Sequence, residues 1–249
     1  MKVSIITVCL NAVEYIDQTL KSILSQDYRN IECIVVDGGS TDGTLEIVKS
    51  IAEKDDRIHW QTGSDLGISD AMNRGVERAT GKIIAHLHAD DFYATNSVLA
   101  TVVGEFDRKP EAIWTTGGMR EIDESGRLIR DIPARHYSAR RLLRNNVILH
   151  PATFLRRSAF DAVGGFDTGL KYAMDYDLWL RLAKAGDPVV IEQILTCFRV
   201  HSGSISSVNR ISAFEEEYQV RKRYLGHRFS RGFHSLYQLY RRWREKRGS

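Results

Sequence analysis

Two adjacent aspartates, Asp90 and Asp91, close an apolar run that begins at Gly81 and passes through Ile83, Ile84, Ala85 and Leu87. Neighbouring ionised carboxylates are costly inside a strand. They are expected just beyond its carboxyl end, the edge of an open α/β sheet where ligands bind. Two like charges repel a phosphate, but they can hold a divalent cation that in turn holds a diphosphate. Taken alone, an aspartate pair opening a turn before Phe92 and Tyr93 reads equally well.

Asp37 ends a second apolar run, Ile31 to Val36, directly before Gly38-Gly39. That position suits a ribose or base edge, or a turn and helix-capping aspartate. Asp175 and Asp177 precede a helical pattern at Leu178, Leu182 and Ala185. Negative charge is favourable at a helix start whatever its use. Residues two apart on a helix point roughly 200° from each other, so one acceptor group can face only one of the two.

The elements that must carry these groups alternate. A strand over Met1–Leu10 is followed by helical spacing at Val13, Ile16, Leu20, Ile23 and Leu24, with Asn11 and Glu14 arranged as a capping box. The strand Ile31–Val36 leads through a turn-rich loop, 38–44, into a helix carrying Leu45, Val48, Ile51 and Ala52. A short strand at Ile58–Gln61, a loop at 63–67 and a helix with Ile68, Ala71, Met72, Val76 and Ala79 come next. Asp70, Asn73 and Glu77 share another face of that helix. Later segments read as a helix through Val98–Phe106, a strand at 112–116, a hairpin around Ser125-Gly126, a strand at 152–155, a glycine turn at 163–167, and closing strands at 189–191 and 195–200. Strand–helix alternation with short connections predicts an α/β fold with a doubly wound, mostly parallel sheet.

Composition agrees. The 249 residues are 43% hydrophobic and 27% charged, enough for one sizeable α/β domain. The net charge of +3 gives no ground for nucleic-acid binding. Cys9, Cys33 and Cys197 are few and widely spaced, which suits buried thiols in a reducing compartment. No run reaches the length of a membrane span, so a cytoplasmic protein is expected, with any membrane contact peripheral. Cys9-Leu10-Asn11-Ala12 lacks the glycines of a dinucleotide fingerprint, and no G-x-x-x-x-G-K-[ST] loop occurs. What remains among nucleotide-binding α/β designs is one that reaches the diphosphate through a metal.

In motif order, Thr7…Asn11, Val35-Val36-Asp37-Gly38-Gly39-Ser40-Thr41-Asp42-Gly43-Thr44, Ala89-Asp90-Asp91, Gly164-Gly165-Phe166-Asp167 and Met174-Asp175-Tyr176-Asp177-Leu178-Trp179 resemble family 2 glycosyltransferases of the GT-A fold. The segment Asp65–Gly75 resembles the subset typified by bacterial exopolysaccharide enzymes of the colanic-acid type. The resemblance spans Met1 to about Ser206 and implies a nucleotide-binding N-terminal half and an acceptor-binding C-terminal half. It implies an inverting transfer from a nucleotide-diphosphate sugar to a glycan or lipid-linked saccharide in cell-surface polysaccharide synthesis. Thr7 and Asn11 would border the nucleobase, Asp37 would meet base or ribose, and Asp65 and Asp70 would shape the donor pocket. Asp90, with Asp91 beside it, would hold Mn²⁺ or Mg²⁺ together with His201. His88 stands where the family's first metal-site acid is usual and could hydrogen-bond a ribose hydroxyl. Asp175 would be the catalytic base, although Met174 replaces the glutamate before it. Asp177 would orient the acceptor, and His150 would face it.

Two other classes stand beside this one. A sugar nucleotidyltransferase should carry a glycine- and basic-rich phosphate loop after the first strand, which Cys9–Ala12 is not. A non-catalytic nucleotide-sugar-binding partner of another transferase is compatible with His88 and Met174 at positions usually acidic.

Residues 207–249 form a separate extension in this reading. From Arg221 onward there are about ten Lys/Arg and one Glu. Phe229, Phe233, Leu236, Tyr240 and Trp243 make one helical stripe, flanked by Arg228, Arg231, Arg241, Arg242 and Arg244. Such a helix suits an anionic membrane surface. Docking on the protein's own body or on a second copy in a homodimer is the competing reading. RNA ranks behind both, since no RNA-binding motif accompanies the charge.

Overall fold

The computed structural model describes residues 1–134, 136–201 and 210–225, together with positions 232, 235, 236 and 239. Within these residues nine strands form one sheet. Its first half is parallel: β3 (Ile58–Thr62), β2 (Ile31–Asp37), β1 (Val3–Cys9) and β4 (Ile83–His86) lie side by side in that order. β1 and β2 are buried along their whole length, as strands covered by helices on both faces must be. Side chains of β1 alternate between two cores. Val3, Ile5 and Cys9 meet α1 (Ile16–Leu24), α2 (Thr44–Ala52) and α4 (Val98–Arg108). Ile6 and Val8 meet α3 (Ile68–Arg78) and the helices of the second half.

Beyond β4 the sheet becomes mixed. β8 (Thr153–Arg156) runs antiparallel to β4 and to β6 (Trp114–Ile122), while β9 (Val189–Arg199) runs parallel to β6. β5 (Phe92–Tyr93) pairs antiparallel with the far end of β9, and β7 (Leu128–Ile132) completes the expected hairpin with β6. The two strands expected at 189–191 and 195–200 are one. Glu192 and Gln193 are exposed, and the register shifts opposite Gly117 and Gly118 absorb them as a bulge. The polar interruption hid a continuous strand.

Three short helices hold the second half: α5 (Ala139–Leu142), α6 (Arg157–Val163) and α7 (Met174–Leu182). The Asn11–Glu14 capping box does not form. α1 begins at Ile16 after Tyr15, and Asn11 instead takes a left-handed backbone (φ 51) and uses its side chain elsewhere.

α8 (Arg210–Tyr224) lies against α7. Phe214, Val220 and Leu225 are buried, and so is Arg221, at 0% exposure. Arg221 is therefore part of the body and not of an exposed basic face. The stripe at Phe229, Phe233, Tyr240 and Trp243, its flanking Arg228, Arg231, Arg241, Arg242 and Arg244, and the boundary at 206/207 lie outside the described residues. Leu236, which is described, is 68% exposed.

Candidate active site

Three loops meet at the carboxyl edge of the parallel block: 38–43 after β2, 63–67 after β3 and 87–91 after β4. β1 separates β2 and β3 from β4, so the sheet order reverses here, the point where open sheets bind ligands.

Asp37 organises the first loop from inside. Its carboxylate accepts from Gly39 N–H (3.1 Å), Ser40 N–H (3.1 Å), the Ser40 hydroxyl (2.5 Å) and the Thr62 hydroxyl (2.6 Å). Burial acts to raise its pKa, but Ser40, Thr62 and the backbone donors outweigh it and hold the carboxyl below its usual range. It is buried with its lone pairs committed, so the turn reading prevails over direct contact with a nucleoside. Thr7 is likewise corrected. It is fully buried, and its hydroxyl faces the Cys33 thiol at 3.8 Å, making it a sheet-packing group and not a pocket wall.

Asn11 does reach the loop: its Oδ1 accepts from Thr41 N–H (3.0 Å), and its own N–H donates to the Ser40 hydroxyl (2.8 Å). Asp65 overhangs Gly38, where an added Cβ would stand 3.1 Å from its Oδ2. A side chain at position 38 would push Asp65 aside. Asp65 also accepts from Gly67 N–H (2.9 Å) and Asp70 from Leu66 N–H (3.2 Å), so both shape the 63–67 loop.

Beyond β4 the two aspartates separate. Asp90 is half-buried and its Oδ2 meets His201 Nε2 at 3.0 Å. Asp91 turns inward to 0% exposure, and its Oδ1 accepts from Arg199 N–H (3.1 Å). Burial, with the neighbouring charge of Asp90, pushes its pKa well above the carboxylate range. Enclosed and anchored on the Arg199 backbone, Asp91 does not share the surface where Asp90 meets His201. A carboxylate oxygen beside an imidazole nitrogen fits a divalent cation. Among the described residues no group of three or more His, Cys, Asp or Glu could hold a metal ion, so such a cation would draw further ligands from beyond those residues.

Arg199, which the sequence reading passed over, holds this loop. Its guanidinium donates to the carbonyls of Asp90 (3.3 Å), Asp123 (3.3 Å) and Glu124 (2.9 Å) and to Gln18 Oε1 (2.7 Å). A lone arginine closing an apolar strand was the available signal.

Toward β8 the site is lined with imidazoles. His150 sits 5.6 Å from His86, 5.4 Å from His88 and 5.7 Å from Trp179, centroid to centroid. Burial lowers all three histidines, His86 to about 3, and His150 is lowered further by His88 and His86. Burial thus favours the neutral imidazole at each. His88 Nδ1 and His150 Nε2 are enclosed and have no hydrogen-bond partner among the described residues.

One turn before Trp179 on α7 stands Asp175. Its carboxylate accepts from Asn146 Nδ2 (3.1 Å) and from Tyr176 N–H (2.6 Å). Burial raises its pKa to about 6 against those hydrogen bonds. Asp177 points the other way. It pairs with Arg181 (2.8 Å), accepts from the Tyr224 hydroxyl (3.1 Å) and is buried between α7 and α8, so it has no acceptor to orient.

Comparison with known proteins bears on the family and the fold. The family described as Glycosyl transferase family 2 matches residues 4–164. An uncharacterized glycosyltransferase of Mycobacterium tuberculosis is 30% identical over 241 residues, covering 92% of this chain and 90% of its own. Chondroitin synthase of Escherichia coli is 29% identical over 219 residues, covering 87% of this chain but only 31% of its own length. Among solved structures, TarS 1–349 of S. aureus with UDP-GlcNAc superposes with a TM-score of 0.70 at 20% identity, covering 88% of this chain and 65% of that one. The mannosyltransferase PcManGT of Pyrobaculum calidifontis, with GDP-Man and Mn²⁺, gives 0.67 at 21% identity, covering 91% and 65%. The fold is GT-A. With the family's match running from β1 into α6, and a relative sharing nearly its whole length, the chain belongs to glycosyl transferase family 2.

Proposed function

We propose that this chain transfers a sugar, with inversion, from a nucleotide-diphosphate donor to a hydroxyl of a glycan or lipid-linked saccharide. Asp175 carries the reading. A carboxyl raised to about 6 is ionised at neutral pH, yet is a stronger base than an ordinary aspartate. It takes the acceptor proton as the acceptor oxygen attacks the anomeric carbon, through a transition state of oxocarbenium character. His150, beside Trp179 and held toward its neutral form by burial, would stand on the acceptor side.

On the donor side, Asn11 and Asp65, beside the 38–43 loop, would border the nucleotide, with His88 near a donor hydroxyl. Asp90 and His201 would hold Mn²⁺ or Mg²⁺. When bound, such a cation offsets the charge of the departing diphosphate. The structural neighbours named with UDP-GlcNAc, GDP-Man and Mn²⁺ support this donor class, and chondroitin synthase supports a role in polysaccharide synthesis.

Among the described residues no helix is long and apolar enough to cross a membrane. We assign residues 207–249 to an extension whose basic, aromatic end meets the anionic inner surface of the cell membrane, where a lipid-linked acceptor would lie. If the chain ignores anionic liposomes with and without residues 226–249, that assignment falls.

A panel of nucleotide sugars, scored for binding and for release of nucleotide diphosphate with Mn²⁺, Mg²⁺ or EDTA, tests the whole reading. Metal-dependent release from one donor, lost in Asp90→Ala, is the expected result. Binding without turnover, even with membrane lipid extract as acceptor, would favour a non-catalytic partner. No binding to any donor would overturn the proposal.

A further inference from the structure

α8 supplies the cap that α7 lacks. No side chain at the start of α7 caps it, and Ala173 is its N-cap residue. Glu216 of α8 reaches under this end. Its Oε2 accepts from Tyr172 N–H (2.6 Å) and Ala173 N–H (2.7 Å), and both its oxygens accept from Lys171 N–H at 3.1 Å. The amino end of a helix leaves its donors unsatisfied and carries partial positive charge. Here a carboxylate from another helix takes the N–H groups of the turn leading into α7, the N-cap Ala173 among them, and brings negative charge to that end. One turn further along α8, Arg221 donates Nε to the Tyr176 hydroxyl (3.2 Å), and that hydroxyl donates to the Leu142 carbonyl (2.6 Å). Asp175 thus sits between two residues, Ala173 and Tyr176, that α8 holds.

We propose that Glu216 is a positioning residue for Asp175: it fixes the 171–173 turn from which α7 starts, and its charge offsets the helix end that would otherwise weaken the base. The inference rests on Asp175 being the base of the proposed transfer. The other ionisable groups around Asp175 do not supply this charge. Asp177 on the same helix points away and is paired with Arg181. On α8, Glu217 pairs with Arg221 (3.7 Å). On the side of Trp179, burial lowers the pKa of His150, and Asn146 carries no charge.

The test needs no donor. In protein carrying ¹³C-carboxyl aspartate, the Asp175 signal is identified by its loss in Asp175→Asn and then titrated in the wild type, Glu216→Gln and Glu216→Ala. Glu216→Gln keeps shape and an acceptor oxygen but removes the charge. Its Asp175 midpoint is expected to fall by about half a pH unit. Glu216→Ala should lower the midpoint too, and should speed amide exchange at Lys171, Tyr172 and Ala173 by about tenfold. An unchanged midpoint in Glu216→Gln overturns the proposal, even if exchange rises in Glu216→Ala, because Glu216 would then be a structural cap only. Failure of the functional reading is seen separately, as wild-type turnover that survives Asp175→Asn. Once a donor is in hand, Glu216→Gln should shift the acid limb of the kcat profile by the same amount and leave the donor KM in place.

Discussion

Asp90 Oδ2 lies 3.0 Å from His201 Nε2, joining the loop after β4 to the end of β9 across 111 residues of sequence. Asp90→Ala and His201→Ala should each lower metal-dependent transfer by about 10²-fold or more, since a bound cation contributes several kcal/mol of charge stabilisation. Calorimetric titration with Mn²⁺ in the presence of donor would show whether the loss is one of cation binding. Unchanged cation affinity in both variants would remove the pair from the metal site.

Asp175→Asn should reduce kcat by about 10²- to 10⁴-fold, the range of a lost general base, with little change in donor KM. In the wild type the base must be ionised. Activity should rise as pH increases through about 6 and be lost below it. A profile flat from pH 5 to 8 would contradict the assignment.

The same carboxyl should weaken the fold. Its pKa rises from 3.8 to about 6 on folding, so between those values the folded chain binds the proton more tightly than the unfolded one. Stability therefore falls as pH rises through that window, by about 2 kcal/mol after allowance for partial exposure. Asp175→Asn should raise the melting temperature by about 4 °C at pH 7.5 and leave it unchanged at pH 4. Differential scanning calorimetry at the two pH values would decide.

Glu32 has the opposite sign. Burial acts to raise its pKa, but Lys2 (2.6 Å), the Ser4 hydroxyl (2.5 Å) and Thr80 N–H (2.7 Å) bring it from 4.5 down to about 2. The stabilisation, about 3 kcal/mol, is complete above pH 4.5 and is lost as pH falls toward 2. Glu32→Gln should lower the melting temperature by about 8 °C at pH 7, with the gap closing in acid. An equal gap at pH 7 and pH 2.5 would refute the account.

The parallel half of the fold was legible because its apolar runs match strand and helix periods and its acids stand at strand ends. The second half was less so, since its organisation depends on long-range pairing. Glu192 and Gln193 split β9 on paper because a bulge across from Gly117 and Gly118 has no local signature. Asp90, His201 and Asp175, the groups of the proposed site, could be singled out by type and position. What sequence could not give was direction. Asp91 and Asp177 follow equally acidic neighbours, yet one turns into the core and the other toward α8, choices made by Arg199, Arg181 and Tyr224. Asn146 and Glu216 were missed because their partners are a distant carboxylate and backbone N–H groups, which no spacing rule reveals.

The pairing of β5 with β9 sets an order of birth for the site. Phe92 and Tyr93 join the sheet only through Cys197 and Thr196, and Asp91 is anchored by the backbone of Arg199. A ribosome making about 5–20 residues per second needs roughly 5–20 s to travel from one to the other. During that interval the nascent chain can close its parallel block and shape the 38–43 loop, while the loop bearing Asp90 still lacks its anchor. The loop that Asp37 organises can be finished first, while the loop bearing Asp90 is anchored only when β9 arrives.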